Sequence, residues 1–530
     1  MFKLLTIWQA GPAKFILAAT LANIILYHIP LLSFALNNLD YLSVTGVQTL
    51  FTLIVVVFLL SSLGLTLIYM VSHHLIKPFC ALVAIVNSFA LYFVVNYQIV
   101  LDRSMMGNIL NTNISEAVDL FHPRLLVYVF LFGLMPCLFL LSVGIQRSRR
   151  SQLLFYQSIV VFISIGWIYF SSSSWLWIDK NAKKLGGMVL PWSYTINLTR
   201  FQLGKIRQSQ EQVQLPPAQF NSQYKTVVIL VIGEAARAKN FSLYGYNRLT
   251  NPLLKQSSTI ALSKAVSCST YTTASLQCIL SHTNERTAFS RNYEPLPSYL
   301  QRQGVDVIWR TNNWGEPPIT VQEYQRAGEL REHCVGGHRC QYDEVLLSNL
   351  GQRIASSSKQ RIFVVLHQTG SHGPSYYSKY PEEFEVFKPV CRSVELQKCT
   401  QEELINAYDN TILYTDYFLN RVVDVLKGMK NTASMFMYIS DHGESLGEYG
   451  LYLHGTPYSI APDVQKTVPF LVWMSDEFIE HKGASNTRLN KEASHSQEFV
   501  FHSIMGAFDM HSDIYNSNLD IFSESPLKAN

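Results

Sequence analysis

The sequence predicts an N-terminal membrane domain of five helices followed by an α/β domain with a largely parallel sheet. The chain of 530 residues is 48% hydrophobic and only 15% charged, which is unusual for a soluble protein of this size. Its apolar residues are concentrated in the first third, whereas short β-branched runs alternate with helical stretches from Lys225 onward. We therefore expect a membrane domain over 1–171, interfacial helices and a linker over 172–224, and a folded domain over 225–530.

The membrane domain is predicted from apolar segments that are each long enough to cross a bilayer. If these segments were core helices instead, each would need a soluble partner covering it on all sides. The first is too long for a cleavable signal peptide, and no small-residue cleavage site follows it. The five predicted spans are Phe15–Leu36, Val47–Val71, Phe79–Val100, Leu125–Ile145 and Leu153–Phe170.

The basic residues of the connecting segments predict the orientation of the chain. Lys3 and Lys14 precede the first span, and Arg147, Arg149 and Arg150 lie between the fourth and fifth. The positive-inside rule then places the N-terminus in the cytoplasm and everything after the fifth span outside. The net charge of +4 is small and spread out, so no nucleic-acid partner is expected.

Six of the eight cysteines form three close pairs in the sequence, and Cys80 and Cys137 lie inside spans. An even set in local pairs is typical of an oxidising compartment. Six cysteines allow fifteen pairings, so local pairing is a prediction; a zinc ribbon is disfavoured because no pair has C-x2-C spacing. The predicted disulfides are Cys268 to Cys278, Cys334 to Cys340 and Cys391 to Cys399.

Two further segments lie outside the spans, one between the third and fourth spans and the other between the fifth span and the folded domain. The segment Leu101–Pro123 contains Asn108, Thr112 and Glu116, which a helix would align on one face. Spacing alone favours a solvated helix face there. Trp175–Phe220 is rich in tryptophan at its start and proline-terminated, so it is expected to lie along the membrane before becoming a linker.

The folded domain is predicted as α/β because buried strands alternate with helical segments such as Glu402–Lys427. Ligands in such sheets gather at the carboxyl ends of the strands. The predicted strands are Thr226–Gly233, Val305–Trp309, Ile362–Leu366, Met435–Ser440 and Val468–Trp473.

Two of these strand ends carry residues that bind metals. Thr226–Gly233 runs into Glu234, and Met435–Ser440 runs into Asp441 and His442. With Thr272 as a fourth ligand they form a mixed oxygen and nitrogen set that zinc accepts. Each residue alone has an ordinary explanation, since Glu234 could cap a helix and Asp-His-Gly is a common turn.

A threonine hydroxyl needs a base or a metal before it acts as a nucleophile. Thr272 lies between Cys268 and Cys278, in a run of hydroxyl residues that a disulfide would hold in a fixed orientation. His372 and His454 follow further along the chain, and single histidines of this kind are usually structural.

Taken in order, five motifs resemble one family. They are Glu234 after a strand, Cys-x3-Thr-x5-Cys, Ser371-His372-Gly373-Pro374, Asp441-His442-Gly443-Glu444-Ser445 and Leu453-His454-Gly455-Thr456-Pro457. They resemble the membrane-anchored, zinc-dependent phosphoethanolamine transferases that modify lipid A or the lipopolysaccharide core, including the colistin-resistance enzymes. The resemblance covers essentially the whole chain. It implies five spans in the Gram-negative inner membrane and an alkaline-phosphatase/sulfatase-like catalytic domain in the periplasm.

The resemblance also implies roles for individual residues. Thr272 becomes the nucleophile that carries phosphoethanolamine from phosphatidylethanolamine to lipid A or lipopolysaccharide, in a protein that works as a monomer. Glu234, Thr272, Asp441 and His442 become ligands of one tight zinc. The remaining positions match substrate-binding residues: His372 and His454, which can also bind a second zinc, and Asn108, Thr112 and Glu116, which match a headgroup-binding triad.

This sequence departs from the family after Asn312-Asn313. Several members have a serine and a lysine there, whereas this chain continues Trp314-Gly315-Glu316-Pro317. Thr273 also stands beside Thr272, so spacing and family position alone select the nucleophile.

Two other classes of protein remain as alternatives. A related alkaline-phosphatase-fold enzyme, such as a phosphoglycerol transferase or a sulfatase, would share the metal site, although a sulfatase would have a cysteine or serine in place of Thr272. A transporter or a non-catalytic sensor is the other class. The spans hold almost no charge, which argues against transport, and a sensor would be expected to lose ligands that this chain retains.

Overall fold

The computed structural model describes residues 8–40, 42–111, 117, 118, 120–146, 148–172, 174–208, 212–262, 265–283, 292–483, 489 and 494–523. These residues divide into two compact units. The first contains the described residues up to 111 and 121–204, and the second contains 117, 118, 120 and the described residues from 205 onward. The predicted interfacial segment 172–224 is therefore shared between the two units. Its location at a membrane surface stays a prediction.

The first unit is a bundle of helices with one short parallel strand pair, β1 (Trp8–Ala10) and β2 (Val143–Ile145). Its helices are α1 (Pro12–Tyr27), α2 (Ile29–Asn38), α3 (Val44–Val71), α4 (Ile76–Tyr97), α5 (Arg103–Asn111), α6 (Pro123–Ser142), α7 (Arg150–Phe170), α8 (Ser174–Lys180), α9 (Ala182–Gly186) and α10 (Trp192–Gln208).

Among the described residues, α3, α4, α6 and α7 are each long and apolar enough to cross a membrane. They match the second to fifth predicted spans. The first predicted span, Phe15–Leu36, is broken at His28 into α1 and α2, which bend by 60°. Pro30 lies in the first turn of α2, where a proline starts a helix easily but cannot continue one from before. The unit therefore has four candidate spans, or five if the bent pair is one.

Buried amide and hydroxyl groups join four helices of the first unit. The Asn23 amide donates to Ser61 Oγ at 3.3 Å and to the Leu190 carbonyl at 3.2 Å. The Asn87 amide donates to Asn23 Oδ1 at 3.2 Å, and the Tyr194 hydroxyl donates to Asn87 Oδ1 at 2.9 Å. Such hydrogen bonds hold helices together where no water competes, so α10 is tied to α1, α3 and α4.

The second unit is built on a seven-stranded sheet with the strand order β5-β12-β9-β4-β8-β6-β7. Every neighbouring pair is parallel except the two pairs that β12 makes with β9 and β5. The strands of this unit are β3 (Gln219–Phe220), β4 (Thr226–Gly233), β5 (Ile260–Leu262), β6 (Asp306–Thr311), β7 (Glu323–Arg326), β8 (Arg361–His367), β9 (Ala433–Ser440), β10 (Ser445–Leu446), β11 (Tyr452–Leu453), β12 (Phe470–Met474) and β13 (Met510–His511).

Helices cover both faces of this sheet, which explains why its central strands are apolar over most of their length. Val228 and Leu230 of β4 face one core, and Val227 and Ile229 face the other. The helices are α11 (Pro252–Gln256), α12 (Thr272–Ile279), α13 (Leu296–Arg302), α14 (Ala327–Leu330), α15 (Leu350–Ala355), α16 (Gln401–Lys427), α17 (Asp476–Lys482) and α18 (Phe499–Ala507).

The longest helix of this unit, α16, begins with a reciprocal cap. Thr400 Oγ1 accepts from the Glu403 amide at 3.2 Å, and Glu403 Oε2 accepts from the Thr400 amide at 2.8 Å. This arrangement satisfies two of the donors that a helix start leaves unpaired. The three predicted local disulfides, at Cys268–Cys278, Cys334–Cys340 and Cys391–Cys399, are the pairs present in the structure.

Candidate active site

Two neighbouring strands bring the predicted carboxylates to the same edge of the sheet. β4 and β9 run parallel, with Gly233 opposite Ser440, so Glu234 and Asp441 leave the sheet at the same level. The Asp441 amide donates to the Gly233 carbonyl at 3.0 Å. The amide of Ala235, whose φ is +54°, donates to Asp441 Oδ1 at 3.1 Å. The two strand ends are therefore bonded to each other directly.

Thr272 reaches this edge as the first residue of α12. The Cys268–Cys278 disulfide closes the loop around it. The Thr272 hydroxyl lies 3.1 Å from Glu234 Oε2 and 3.4 Å from His442 Nε2. The amino end of a helix favours negative charge, which suits an oxygen that loses its proton.

The side chains of Glu234, Asp441, His442 and Thr272 converge in the protein interior. Glu234 Oε1 lies 3.1 Å and Asp441 Oδ2 lies 3.2 Å from His442 Nε2. Three of the four residues are fully buried and Thr272 is 6% exposed. The structure therefore brings together all four residues predicted as a ligand set.

The hydrogen bonds of these residues fit a bound cation. His442 Nδ1 lies 2.9 Å from the Gly443 carbonyl, which fixes the proton on Nδ1 and leaves a lone pair on Nε2. Glu234 Oε1 and Asp441 Oδ2 receive no hydrogen bond from any described residue. Three lone-pair donors that face each other inside a protein need a cation or a proton between them, and this donor set suits zinc.

The acid–base properties of the cluster agree with that conclusion. Desolvation raises the pKa of the Glu234 carboxyl to about 7. Desolvation, together with the neighbouring charge of Glu234, raises the pKa of Asp441 to about 7. Burial lowers the pKa of His442, so its imidazole stays neutral as a ligand must.

The predicted substrate-side histidines lie next to this cluster. The ring centroids of His454 and His442 are 4.3 Å apart, and those of His454 and His372 are 5.3 Å apart. Glu234, His372 and His454 form a second group whose ligand atoms lie within 4.8 Å of one another. Burial opposes the charging of His454, but Glu444, 3.3 Å from its Nδ1, and other nearby carboxylates raise its pKa to about 9.

Two supporting residues were missed by sequence analysis. Asn313 Nδ2 donates to Glu234 Oε2 at 2.8 Å and to the Gln368 carbonyl at 2.9 Å. The Gln497 amide donates to the Asp441 carbonyl at 2.5 Å, while its oxygen accepts from the Cys268 amide at 2.8 Å. Gln497 thus connects the end of β9 to the loop that carries Thr272. A lone glutamine far along the chain carries no sequence signal for this role.

The remaining predicted residues are only partly described. Thr112 and Glu116 lie outside the described residues, and Asn108 lies in α5 without a described side chain. In the departing segment, Glu316 accepts a hydrogen bond from the Tyr324 hydroxyl. The carboxylate of this segment is therefore engaged with a tyrosine hydroxyl.

Fold and site together define a membrane-anchored enzyme of the sulfatase class. The family model described as Sulfatase matches residues 226–510, which lie in the second unit and include Glu234, Thr272, Asp441 and His442. A model described as Phosphoethanolamine transferase EptA/EptB matches residues 57–205, within the helical unit. The chain belongs to the phosphoethanolamine transferases.

Individual relatives extend over nearly the whole chain. Phosphoethanolamine transferase EptA of Helicobacter pylori is 36% identical over 94% of this chain and 94% of its own length. Phosphatidylethanolamine transferase Mcr-1 of Escherichia coli is 30% identical, with 79% and 82% covered. The solved structure of the integral membrane protein lipooligosaccharide phosphoethanolamine transferase A (EptA) from Neisseria meningitidis superposes with a TM-score of 0.88. It is 26% identical and covers 97% of this chain and 98% of that chain.

Proposed function

We propose that this transferase moves phosphoethanolamine from phosphatidylethanolamine to lipid A or the lipopolysaccharide core through a covalent intermediate on Thr272. One observation carries the proposal: the Thr272 hydroxyl lies within 3.4 Å of both Glu234 and His442, in a buried cluster where Glu234 Oε1 and Asp441 Oδ2 accept no hydrogen bond from a described residue. A water-free site of this kind strengthens every electrostatic contact made inside it.

Glu234, Asp441, His442 and Thr272 would hold one zinc ion, and His372 and His454 with Glu234 are the residues that could hold a second. The bound ion would supply positive charge that favours loss of the threonine proton and offsets charge on the phosphoryl group. The chain itself fixes the ligands. Asn313 and Gln497 hydrogen-bond to residues of the set, and the Gly443 carbonyl orients the imidazole of His442.

The reaction divides into two displacements. In the first, the Thr272 oxygen forms a bond to the donor phosphorus, the bond from phosphorus to the glycerol oxygen breaks, and diacylglycerol leaves with the proton that threonine gave up. In the second, an acceptor oxygen forms a bond to the same phosphorus and gives up its proton, the bond from phosphorus to the Thr272 oxygen breaks, and the threonine hydroxyl is restored with that proton. His372 and His454 border the cluster on one side, where they can contact phosphoryl oxygens or carry the proton.

The lipid substrates explain the membrane domain, because neither donor nor acceptor enters bulk water. The name of the Neisseria relative supports a lipooligosaccharide acceptor, and the name of the Escherichia coli relative supports phosphatidylethanolamine as the donor. We place the enzyme in the Gram-negative inner membrane as a five-span monomer with the second unit in the periplasm. The three disulfides support that compartment. Asn108, Thr112 and Glu116 stay a proposed headgroup-binding triad.

The neighbouring threonines provide a matched test of the nucleophile. Thr272→Ala is expected to abolish both transfer to lipid A and the covalent phosphoethanolamine detected by mass spectrometry of briefly reacted protein. Thr273→Ala removes the adjacent hydroxyl of the same helix turn and is expected to retain both. Activity in Thr272→Ala, or an adduct that maps to Thr273, would show that the wrong hydroxyl has been assigned.

A further inference from the structure

A cavity of about 500 Å³ opens beside the metal-ligand cluster, at the carboxyl ends of β6, β7 and β8. Arg326, Arg331 and Lys379 contribute positive charge to its lining. Of the residues described in the candidate active site, only Asn313 and His372 line it. The cavity therefore borders the reaction centre without containing the nucleophile.

The two arginines are available to a ligand. Within the described part of the chain, Arg326 and Arg331 form no ion pair with a carboxylate. Arg331 donates through Nε to the Cys340 carbonyl at 3.2 Å, and Arg326 lies over the Tyr324 ring at 5.7 Å. Arg326 is also hydrogen-bonded to the Tyr324 hydroxyl, which itself donates to Glu316. These contacts orient the guanidinium groups, and no carboxylate of the described residues pairs directly with either of them. Guanidinium groups bind phosphate and carboxylate through paired hydrogen bonds.

The one carboxylate in the lining does not neutralise them. Asp343 is buried, and its oxygens accept hydrogen bonds from Asn312 Nδ2 and from the amides of Thr369 and Gly370, each at 2.9 Å. Because these bonds occupy both oxygens, Asp343 joins the ends of β6 and β8 and forms the wall of the cavity. The wall therefore offers an entering oxyanion no free donor of its own, and the arginines and Lys379 are the cationic groups that it would meet.

The number of anionic groups indicates which substrate uses the cavity. Phosphatidylethanolamine has a single phosphate, and that group must lie at Thr272 to react. Lipid A and the lipopolysaccharide core carry several anionic groups, of which only one receives phosphoethanolamine. We propose that Arg326 and Arg331 bind a second, non-reacting phosphate or carboxylate of the acceptor glycolipid. This proposal rests on the function proposed above.

The test compares the two half-reactions in the full-length enzyme. Donor cleavage is followed as diacylglycerol release, and transfer is followed with lipid A carrying either two phosphates or one. In the double variant Arg326→Gln/Arg331→Gln, KM for the bisphosphorylated acceptor is expected to rise about tenfold or more, because charge-assisted hydrogen bonds are lost. The wild-type preference for two phosphates over one should disappear, and the effect should be concentrated in the second half-reaction.

Two further variants serve as controls. Arg421→Gln removes an exposed arginine that pairs with Asp424 on α16, and it should behave as wild type. Arg326→Lys/Arg331→Lys retains the charge and is expected to recover part of the lost affinity. Diacylglycerol release is measured for each variant, and release at the wild-type rate shows that the active site of that variant is folded.

Three results would overturn the proposal. An unchanged KM for the bisphosphorylated acceptor would show that the arginines do not bind it. A defect in diacylglycerol release equal to the defect in transfer would assign the cavity to the donor. If the wild-type enzyme transfers phosphoethanolamine equally well to acceptors with one and with two phosphates, the subsite proposal is wrong but the proposed function stands. If the wild-type enzyme releases no diacylglycerol, both the subsite proposal and the proposed function are wrong.

Discussion

Gly370 lies against the backbone of Glu234, at the point where the chain leaves β8. Its φ is +53°, and a Cβ atom added there would lie 2.8 Å from the Glu234 carbonyl oxygen and 2.9 Å from its amide nitrogen. The next residue, Ser371, donates its amide to that same carbonyl at 2.9 Å. Only glycine permits this approach, so the position of the Glu234 carboxylate depends on a residue that contributes no ligand atom.

Gly370→Ala is therefore expected to displace Glu234 and to weaken zinc binding by about 10- to 100-fold, as changes around metal ligands commonly do. Gly304→Ala is the matched control, because Gly304 also has a positive φ of +88° but would meet no atom within 4 Å. Both variants bear the strain of a left-handed alanine, about 1 kcal/mol. The zinc affinities of the two variants are measured by competition with a chelator. Equal affinities would show that the close contact between Gly370 and the Glu234 backbone does not determine zinc binding.

At the residue scale, the sequence predicted the ligand set because parallel strands end at a common edge. Glu234 and Asp441 each follow an apolar run, and the register of β4 with β9 brings them together. The roles of these residues stay predictions. The sequence predicted no role for Asn313 itself, because an asparagine after a strand usually indicates a turn. Its contact with Glu234 depends on β6 lying two strands away from β4, and the sequence does not specify the strand order.

At the scale of elements, the five predicted strands were confirmed with ends displaced by at most two residues. The two edge strands β5 and β7 were missed. β5 has only three residues, and β7 reads Glu-Tyr-Gln-Arg, so neither has the apolar run or the alternation that identifies a strand. The break in the first span was missed as well, because hydropathy continues through His28 and Pro30 although the helix does not.

The loop closed by Cys268 and Cys278 is the element on which catalysis should depend most. Thr272 begins a helix of only eight residues, which would be marginal without tertiary support. Two further bonds anchor the loop: the Gly455 amide donates to the Thr270 carbonyl at 2.8 Å, and Thr270 Oγ1 donates to the Thr456 carbonyl at 2.7 Å. The disulfide is expected to restrict the start of this helix.

Cys268→Ser/Cys278→Ser is expected to lower the rate of transfer about tenfold or more, because small displacements of a reacting group are costly. Cys391→Ser/Cys399→Ser is the comparison, since that disulfide lies before α16 and its Cys391 amide bonds to the Glu403 carbonyl. Both double variants should lose about 2–4 kcal/mol of stability. Transfer rates measured where both remain folded distinguish them, and equal losses of rate would show that the first disulfide serves stability alone.

At the scale of the whole molecule, the composition of the sequence predicts the two units clearly but does not determine the number of membrane spans. Apolar helices predicted a membrane domain and alternating strands predicted an α/β domain, and the family confirms both in outline. The span count could not be fixed from hydropathy, because whether α1 and α2 form one crossing depends on a 60° bend. The predicted outside location depends on that count, since an even number of crossings would return the second unit to the cytoplasm.

Zinc should stabilise one unit and not the other, because Glu234, Thr272, Asp441 and His442 all belong to the second. A ligand that binds only the folded state adds about 2.7 kcal/mol at one hundred times its Kd, which corresponds to about 4 °C in a unit as large as this one. In calorimetry of the full-length protein in detergent, a chelator is therefore expected to lower the unfolding temperature of the second unit and leave that of the helical unit unchanged. Glu234→Gln removes one ligand charge and should make the second unit insensitive to both zinc and chelator. A variant that responds as wild type, or a chelator that shifts neither transition, would show that the buried carboxylates are balanced by protons instead of a metal ion.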